Sequence, residues 1–514
     1  MNIEDLDFED SRTWDMICDG SVKGCFQIEG HLGKTWAQKL KPRNLNELAA
    51  LISLIRPGCL KAKIDGKSMT EKYVDRKQGN EEIEYMHDSI KDILKETYGV
   101  IVFQEQSMKI AEEMAKFDLK EADNLRKAIG KKKADLMSQV REKFLQGCSE
   151  NNIDEKKSVE VFDIIEKSNR YSFNKSHAVA YAKMAYWSAY LKCYYPEKFF
   201  KHWLRNAGEK IDPDLEKRQL IMAAKAEDIN VYGPSIRYLD ENFSWHNESI
   251  YFGVCNVKNV GKAHLEKFKN LISAWDRPLS WSELVIKVLP HINKKSMENL
   301  IKVGFFGGLK KSRSEMLHEF SCVKELTKKE LECLDGCVDA SNFQINFKSH
   351  IEHFISKGVK KDGGYISSES RLVKVKNILS RLNNPGRFLD DNPSMYAKIE
   401  DKLLGCAVSH SELNSCADAA HANSTCKEVS DGKFDRSTVA CIIKRIKEHV
   451  TKNNDEMAFL SVEDNSGELE NIVIFPDIYS QNKDIIYEES TVLLTGEIKD
   501  KKRKSFVVEN IFSI

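Results

Sequence analysis

The chain has 514 residues, with 79 Lys+Arg balanced by 79 Asp+Glu and a formal net charge of zero. That length suggests roughly three domains of about 150 residues, and the charge balance excludes a uniformly basic nucleic-acid binder, so any such contact must be local. The 13 cysteines are odd in number, form no CxxC pair and follow no apolar leader, so reduced thiols in a cytoplasm are expected; no apolar run approaches the ~20 residues of a membrane span.

Along the chain, Asp5-Leu6-Asp7 is the only early D-x-D, and no apolar strand flanks it to hold a metal pair. Residues 34–55 read as one helix, ended by Pro57-Gly58. Val100-Ile101-Val102-Phe103 reads as a short extended entry to a helix with Met108, Ile110, Ala111 and Met114 in helical period. The next helix spans Asp118 to Ile129, with Asp118 as N-cap and Gly130 as C-cap, and another runs from Ala134 to about Leu145.

Arg126, Lys127, Lys131, Lys132 and Lys133 gather around Gly130, as a polyphosphate would require. Cations also simply complement a helix C-terminus, and a lysine run is usually a solvated face; on local grounds that reading has the stronger claim. From Ala178 to Leu204 small and aromatic residues form a buried helix broken at Pro196. His177 and Tyr181 lie four apart, on one face if helical, where planar rings can stack on bases, with Lys175 nearby for a phosphate. The alternative makes Tyr181, Tyr186 and Trp187 a core stripe and His177 a satisfied buried histidine.

Five strand-like runs, Val439–Ile446, Met457–Glu463, Leu469–Phe475, Thr491–Lys499 and Ser505–Ile511, suit an OB barrel with a face for single strands. Phe459, Phe475 and Phe506 are stacking platforms or core, and Lys501, Lys502, Arg503 and Lys504 in the last hairpin are the better contact candidates. Cys406, His410, Cys416, His421 and Cys426 have zinc-type side chains without paired close spacings, so a structural role for His410 is favoured over ligation.

Three blocks carry a family resemblance: Thr97-Tyr98-Gly99-Val100-Ile101-Val102-Phe103-Gln104-Glu105-Gln106, Asn124-Leu125-Arg126-Lys127-Ala128-Ile129-Gly130-Lys131-Lys132-Lys133, and Tyr171-Ser172-Phe173-Asn174-Lys175-Ser176-His177-Ala178-Val179-Ala180-Tyr181. In this order they resemble the fingers of the bacterial replicative DNA polymerase III alpha subunit, the C family. The likeness extends to Leu54-Ile55-Arg56-Pro57-Gly58 and Tyr73-Val74-Asp75-Arg76-Lys77, and downstream to Val257-Lys258-Asn259-Val260-Gly261-Lys262-Ala263, which is similar to that family's helix-hairpin-helix turn. Asn259 stands where glycine is usual but tolerates left-handed angles; a generic loop between two helices fits the same residues.

The resemblance implies nucleotide binding by Arg126, Lys127, Lys131, Lys175, His177 and Tyr181, and less firmly by Lys132 and Lys133. It implies DNA binding by Lys258, Asn259, Gly261 and Lys262, through backbone N–H groups and a helix N-terminus aimed at phosphate. Leu6 to Ile17, with Gly24-Cys25-Phe26-Gln27-Ile28-Glu29 after it, resembles the connection that follows the palm's last catalytic aspartate. No catalytic residue and no bound metal are therefore expected in this chain, with Mg2+ held by a separate, palm-containing N-terminal chain.

The expected fold class is multidomain α+β: a post-palm connection at 1–33, helical fingers at 34–205, a helix-hairpin-helix region at 206–330, a helical connector at 331–430 and an all-β OB-like barrel at 431–514. The expected role is the C-terminal subunit of a split polymerase in the cytoplasm, with primer-template DNA and dNTPs as partners, a sliding clamp as a further candidate, and no membrane. The competing readings are a non-catalytic DNA-binding or regulatory protein derived from a polymerase, and a lone degenerate fragment.

Overall fold

The computed structural model describes residues 2–514 except 62, 65, 132–133, 170–171, 274–279, 310, 337–345, 361–363, 386–389, 410–412, 414–416, 452, 465, 489 and 501–504. Its contacts separate two units, Met1–Phe199 and Phe200–Ile514.

The first unit is helical: α1 (Ser11–Cys18), α2 (His31–Leu40), α3 (Leu45–Leu54), α4 (Gln104–Ala115), α5 (Leu119–Lys131), α6 (Ala134–Glu150), α7 (Glu155–Asn169) and α8 (Lys175–Tyr194) frame two hydrophobic clusters. Ala178, Ala182, Ala185 and Ala189 recur at helical spacing along α8 and are 0% exposed. Their small side chains let α8 lie close against α3, which buries Leu48, Leu51 and Leu54. The second cluster joins α4 to α7 through Ile110, Met114, Leu125, Phe144 and Phe162.

The stretch Val100–Phe103 threads between the clusters, with Val102 and Phe103 in one and Ile101 in the other. As expected it stays extended and leads into a helix. Buried Gln106 fixes it: its Oε1 accepts the N–H groups of Val102 (2.9 Å) and Phe103 (3.0 Å), while Nε2 donates to Thr97 Oγ1 (2.7 Å). Such saturation is what a buried amide requires.

Three boundaries differ from expectation. The single helix over 34–55 is two, because Lys41 turns left-handed (φ 51°) just before Pro42, and Asn44 caps the second by accepting from Glu47 N–H. Pro57 opens a short helix, Pro57–Lys61, since proline suits a first helical turn. Gly130 does not cap α5, which continues to Lys131, whereas Asp118 caps it as expected, with Glu121 N–H donating to Oδ1 at 2.8 Å. After α8, a new helix α9 (Pro196–Asn206) starts at the expected proline.

The second unit holds a small sheet of β1 (Asn230–Tyr232), β2 (Ser244–His246) and β3 (Ser249–Tyr251) in the order β1-β3-β2, then α10 (Lys262–Ser273), α11 (Trp281–Val288) and α12 (Lys294–Lys302). Helices Phe347–Ser356, Glu369–Asn383 and Pro393–Leu404 follow.

The C-terminal strands are β4 (Arg436–Val450), β5 (Glu456–Asp464), β6 (Gly467–Ile474), β7 (Thr491–Asp500) and β8 (Ser505–Ser513), which close into a barrel in the order β8-β6-β5-β4-β7. Pairing is antiparallel except where β6 meets β8 in parallel. Alternate residues Val439, Cys441 and Ile443 point into the core, as do Phe506 and Val508. The expected α+β architecture, mainly helical and ending in an OB-like barrel, is therefore present. Phe506, at 1% exposure, is core and not a stacking platform.

Candidate functional site

At the start of α8 the backbone is capped by side chains. Asn174 Oδ1 accepts from His177 N–H at 2.9 Å, and Glu105, in the first turn of α4, accepts from Asn174 Nδ2 at 2.7 Å and from Lys175 N–H at 2.9 Å. Lys175 Nζ is 2.5 Å from Glu96 and 5.7 Å from the Phe103 ring centroid.

The first turns of α8 carry a ladder of rings. Phe173 and His177 are 5.4 Å apart, His177 and Tyr181 4.1 Å, and Tyr181 and Phe26 5.2 Å. The Arg56 guanidinium lies 4.5 Å over Phe173 at the far end. His177 is exposed, and Phe173, Tyr181 and Phe26 are half-buried. The structure thus brings His177 and Tyr181 together, while Lys175 at the start of the same helix turns to Glu96 and the Phe103 ring.

Phe26 and Arg56 complete the ladder without having been singled out as site residues; both lie in segments that carry the resemblance, but nothing local to them signals a neighbour more than a hundred residues away. Tyr186, expected in the core, is fully buried and donates from its hydroxyl to Asp7 O at 2.8 Å. Trp187 packs half-buried against the same cluster.

Arg126 and Lys127 stand apart from the ladder, on α5. Both grip Asp123: Arg126 Nε and Nη2 donate to Oδ1 at 2.9 and 2.8 Å, and Lys127 Nζ sits 2.6 Å from Oδ2. The Lys127 ammonium and Arg126 guanidinium hold this half-buried carboxyl below its ordinary pKa. Exposed pairs of this kind are weak and exchange readily, so the two cations are organised but available to a stronger anion. Helix α4 links the two groups, since its first turn meets Lys175 while its body packs on α5. The Lys131 side chain and residues 132 and 133 lie outside the described residues.

In the second unit, Val257 and Val260 are buried, while Lys258 and Asn259 between them and Gly261 and Lys262 after them are exposed. Asn259 adopts φ 69°, the left-handed angle this residue type tolerates. Buried side chains on α12 brace the loop from beneath: Asn299 Nδ2 donates to Lys258 O at 2.7 Å and Ser296 Oγ to Asn259 O at 2.6 Å. Gly261 N–H donates to His264 Nδ1 at 3.2 Å, and Lys262 Nζ is 2.8 Å from Glu241. A helix start flanked by exposed lysines is suited to a phosphate.

On the barrel surface, Phe459 (37% exposed) and Phe475 (48%) remain accessible, and so does Phe512 (55%), which the strand pattern did not single out. Lys447 stands opposite Phe459 in register. Lys501, Lys502, Arg503 and Lys504 lie outside the described residues.

Asp5 and Asp7 are exposed, and Asp7 Oδ1 accepts from Glu9 N–H at 2.9 Å; among the described residues no group of three His, Cys, Asp or Glu is placed to hold an ion. Cys426 sits in the barrel core and Cys406 lies elsewhere, its thiol pushed up to about 12 by burial; His410 and Cys416 lie outside the described residues. No described helix is long and apolar enough to cross a membrane.

Residues 1–152 match the family described as the bacterial DNA polymerase III alpha subunit finger domain, and residues 228–316 match the helix-hairpin-helix motif. The DNA polymerase III subunit alpha of Aquifex aeolicus is 32% identical over 520 residues, covering 100% of this chain and 40% of that protein. The subunit alpha of Borreliella burgdorferi is 29% identical over 518 residues (100% and 42%), and that of Staphylococcus aureus strain MSSA476 is 26% identical over 520 (99% and 43%). The chain spans well under half the length of these curated relatives.

Proposed function

We propose, since this chain belongs to the bacterial DNA polymerase III alpha family, that it supplies the nucleotide-binding and DNA-gripping part of a template-directed DNA polymerase. The observation that carries this reading is the ring ladder that runs from Phe173 onto His177 and Tyr181 of α8, with the Arg56 guanidinium over its first ring and an exposed imidazole at its centre. A half-open row of rings tilted 47–49° to one another, with the Arg56 guanidinium at one end, offers a ring face to a base and a cation to its phosphates. On this reading Arg126 and Lys127 exchange the Asp123 carboxylate for the triphosphate, and the His177 and Tyr181 rings meet the base.

The start of α10, with Lys258 and Lys262, holds duplex backbone without reading sequence. The barrel face around Lys447, Phe459 and Phe475 holds single strands. The divalent metals that such a polymerase uses would be held by palm carboxylates outside these residues, and would supply the charge that offsets the leaving pyrophosphate.

Mixing the purified chain with a palm-bearing polypeptide tests the reading. Primer extension is expected in the mixture and not from this chain alone, and Arg126→Ala or Lys127→Ala should raise the dNTP KM about 10-fold, the worth of a charge-assisted hydrogen bond. Metal-dependent synthesis by this chain alone, lost on changing Asp5 and Asp7, would overturn the assignment of the metals to carboxylates outside these residues. Unchanged kinetics in folded variants would remove Arg126 and Lys127 from the site.

A further inference from the structure

The ring ladder reaches beyond α8 to a loop from the start of the chain. Phe26 meets Tyr181 edge-on at 5.2 Å and 77°, so Tyr181 has ring neighbours in both Phe26 and His177. The loop that presents Phe26 is fixed from below. Val22, Cys25 and Ile28 are buried, and Phe26 N–H donates to Ser188 Oγ at 3.0 Å.

Beneath it Lys192, only 2% exposed, spends its ammonium on loop oxygens, donating to Ser21 O at 2.9 Å and to Lys23 O at 3.4 Å. A buried ammonium is tolerated only where hydrogen bonds replace its water, so loop and helix must stay in register. On the other side of Phe26, Gln27 is exposed and held at φ 63°, a left-handed angle unusual for its type and sustained only by surroundings that over-determine it.

We infer that Phe26 is a positioning residue of the nucleotide face, holding the Tyr181 ring, and through it His177, in the pose that meets the incoming base. This rests on the proposed role of that face. The loop of residues 24–29 then forms one wall of the site, and its pinning by Ser188 and Lys192 keeps the ring in place between turnovers.

Two measurements test the inference. In the full chain with 13C-labelled histidine, Phe26→Leu should shift the His177 Hε1 resonance, identified by its loss in His177→Gln, while Phe26→Tyr should leave it in place. In the assembled polymerase, Phe26→Leu should raise the dNTP KM about 3- to 10-fold with kcat changed less than about 2-fold, as the loss of one aromatic pair implies. Phe26→Tyr should restore KM, and Phe26→Leu should add nothing in a Tyr181→Ala background.

An unmoved His177 resonance, a wild-type KM in Phe26→Leu beside a raised KM in Tyr181→Ala, or penalties that multiply in the double variant would each overturn the inference. A wild-type KM in Tyr181→Ala would instead sink the nucleotide-face reading, and the inference with it. If Phe26→Leu lowers the unfolding midpoint, Phe26→Met carries the same comparison.

Discussion

Helices α8 and α10 begin with the same chemistry, a turn of N–H groups lacking acceptors, and meet it with different neighbours. At α8 a carboxylate from another helix moves in: Glu105 takes the Lys175 N–H, and Asn174 takes that of His177. At α10 the Gly261 N–H is met by the imidazole of His264, with Lys258 and Lys262 exposed beside it. The first start is already supplied with negative charge, so a ligand there must be held by rings and side-chain cations. At the second the Gly261 N–H is met by a ring nitrogen, and the carboxylate at hand, Glu241 at 2.8 Å from Lys262 Nζ, forms an exposed pair that a phosphate can displace.

The largest expected effect sharpens the first half of that contrast. Tyr181→Ala should cut incorporation efficiency by about 10- to 100-fold in the assembled polymerase, because a base stacked on an aromatic ring is worth about 1–3 kcal/mol; single-nucleotide kinetics read it directly. Glu105→Ala leaves two donors at the start of α8 unmet and should lower the stability of the full chain by about 1–2 kcal/mol in urea unfolding. If the N-terminus of α8 were itself the phosphate site, Glu105→Ala would tighten nucleotide binding, and that result would break the contrast.

At the other helix, Ser296→Ala removes the brace under Asn259 O and should cost about 1 kcal/mol while weakening duplex binding. The smallest effect is a slope. Lys258→Ala should reduce the log-log salt dependence of duplex binding by about 0.9 and leave that of single strands unchanged. An equal change for both ligands would show that α10 does not discriminate between them.

Much of this arrangement was legible in the sequence because it is local. The five barrel strands announce themselves by two-residue alternation between turn residues, and Asp118 and Asn259 sit where their side chains suit a cap and a left-handed turn. Period two also had the means to place Phe506 inward, two residues before buried Val508. Pro42 was the missed signal that divides α2 from α3. Gly130 misled because glycine within a helix is merely unfavourable, and α5 runs on through it. What no local pattern holds is the meeting of Phe26 and Arg56 with α8, or of Glu105 with Lys175, since these depend on how distant helices pack.

The parallel seam between β6 and β8 has a consequence for the company the last domain keeps. The ring closes through a short seam, Phe506 with Ile472 and Val507 with Val473, while the rest of β8 pairs with β7 alone, so one flank of residues 508–513 is left for an added strand. Removing residues 505–513 would strip one flank from both β6 and β7 at once, turning a self-contained ring into a sticky ribbon prone to aggregation.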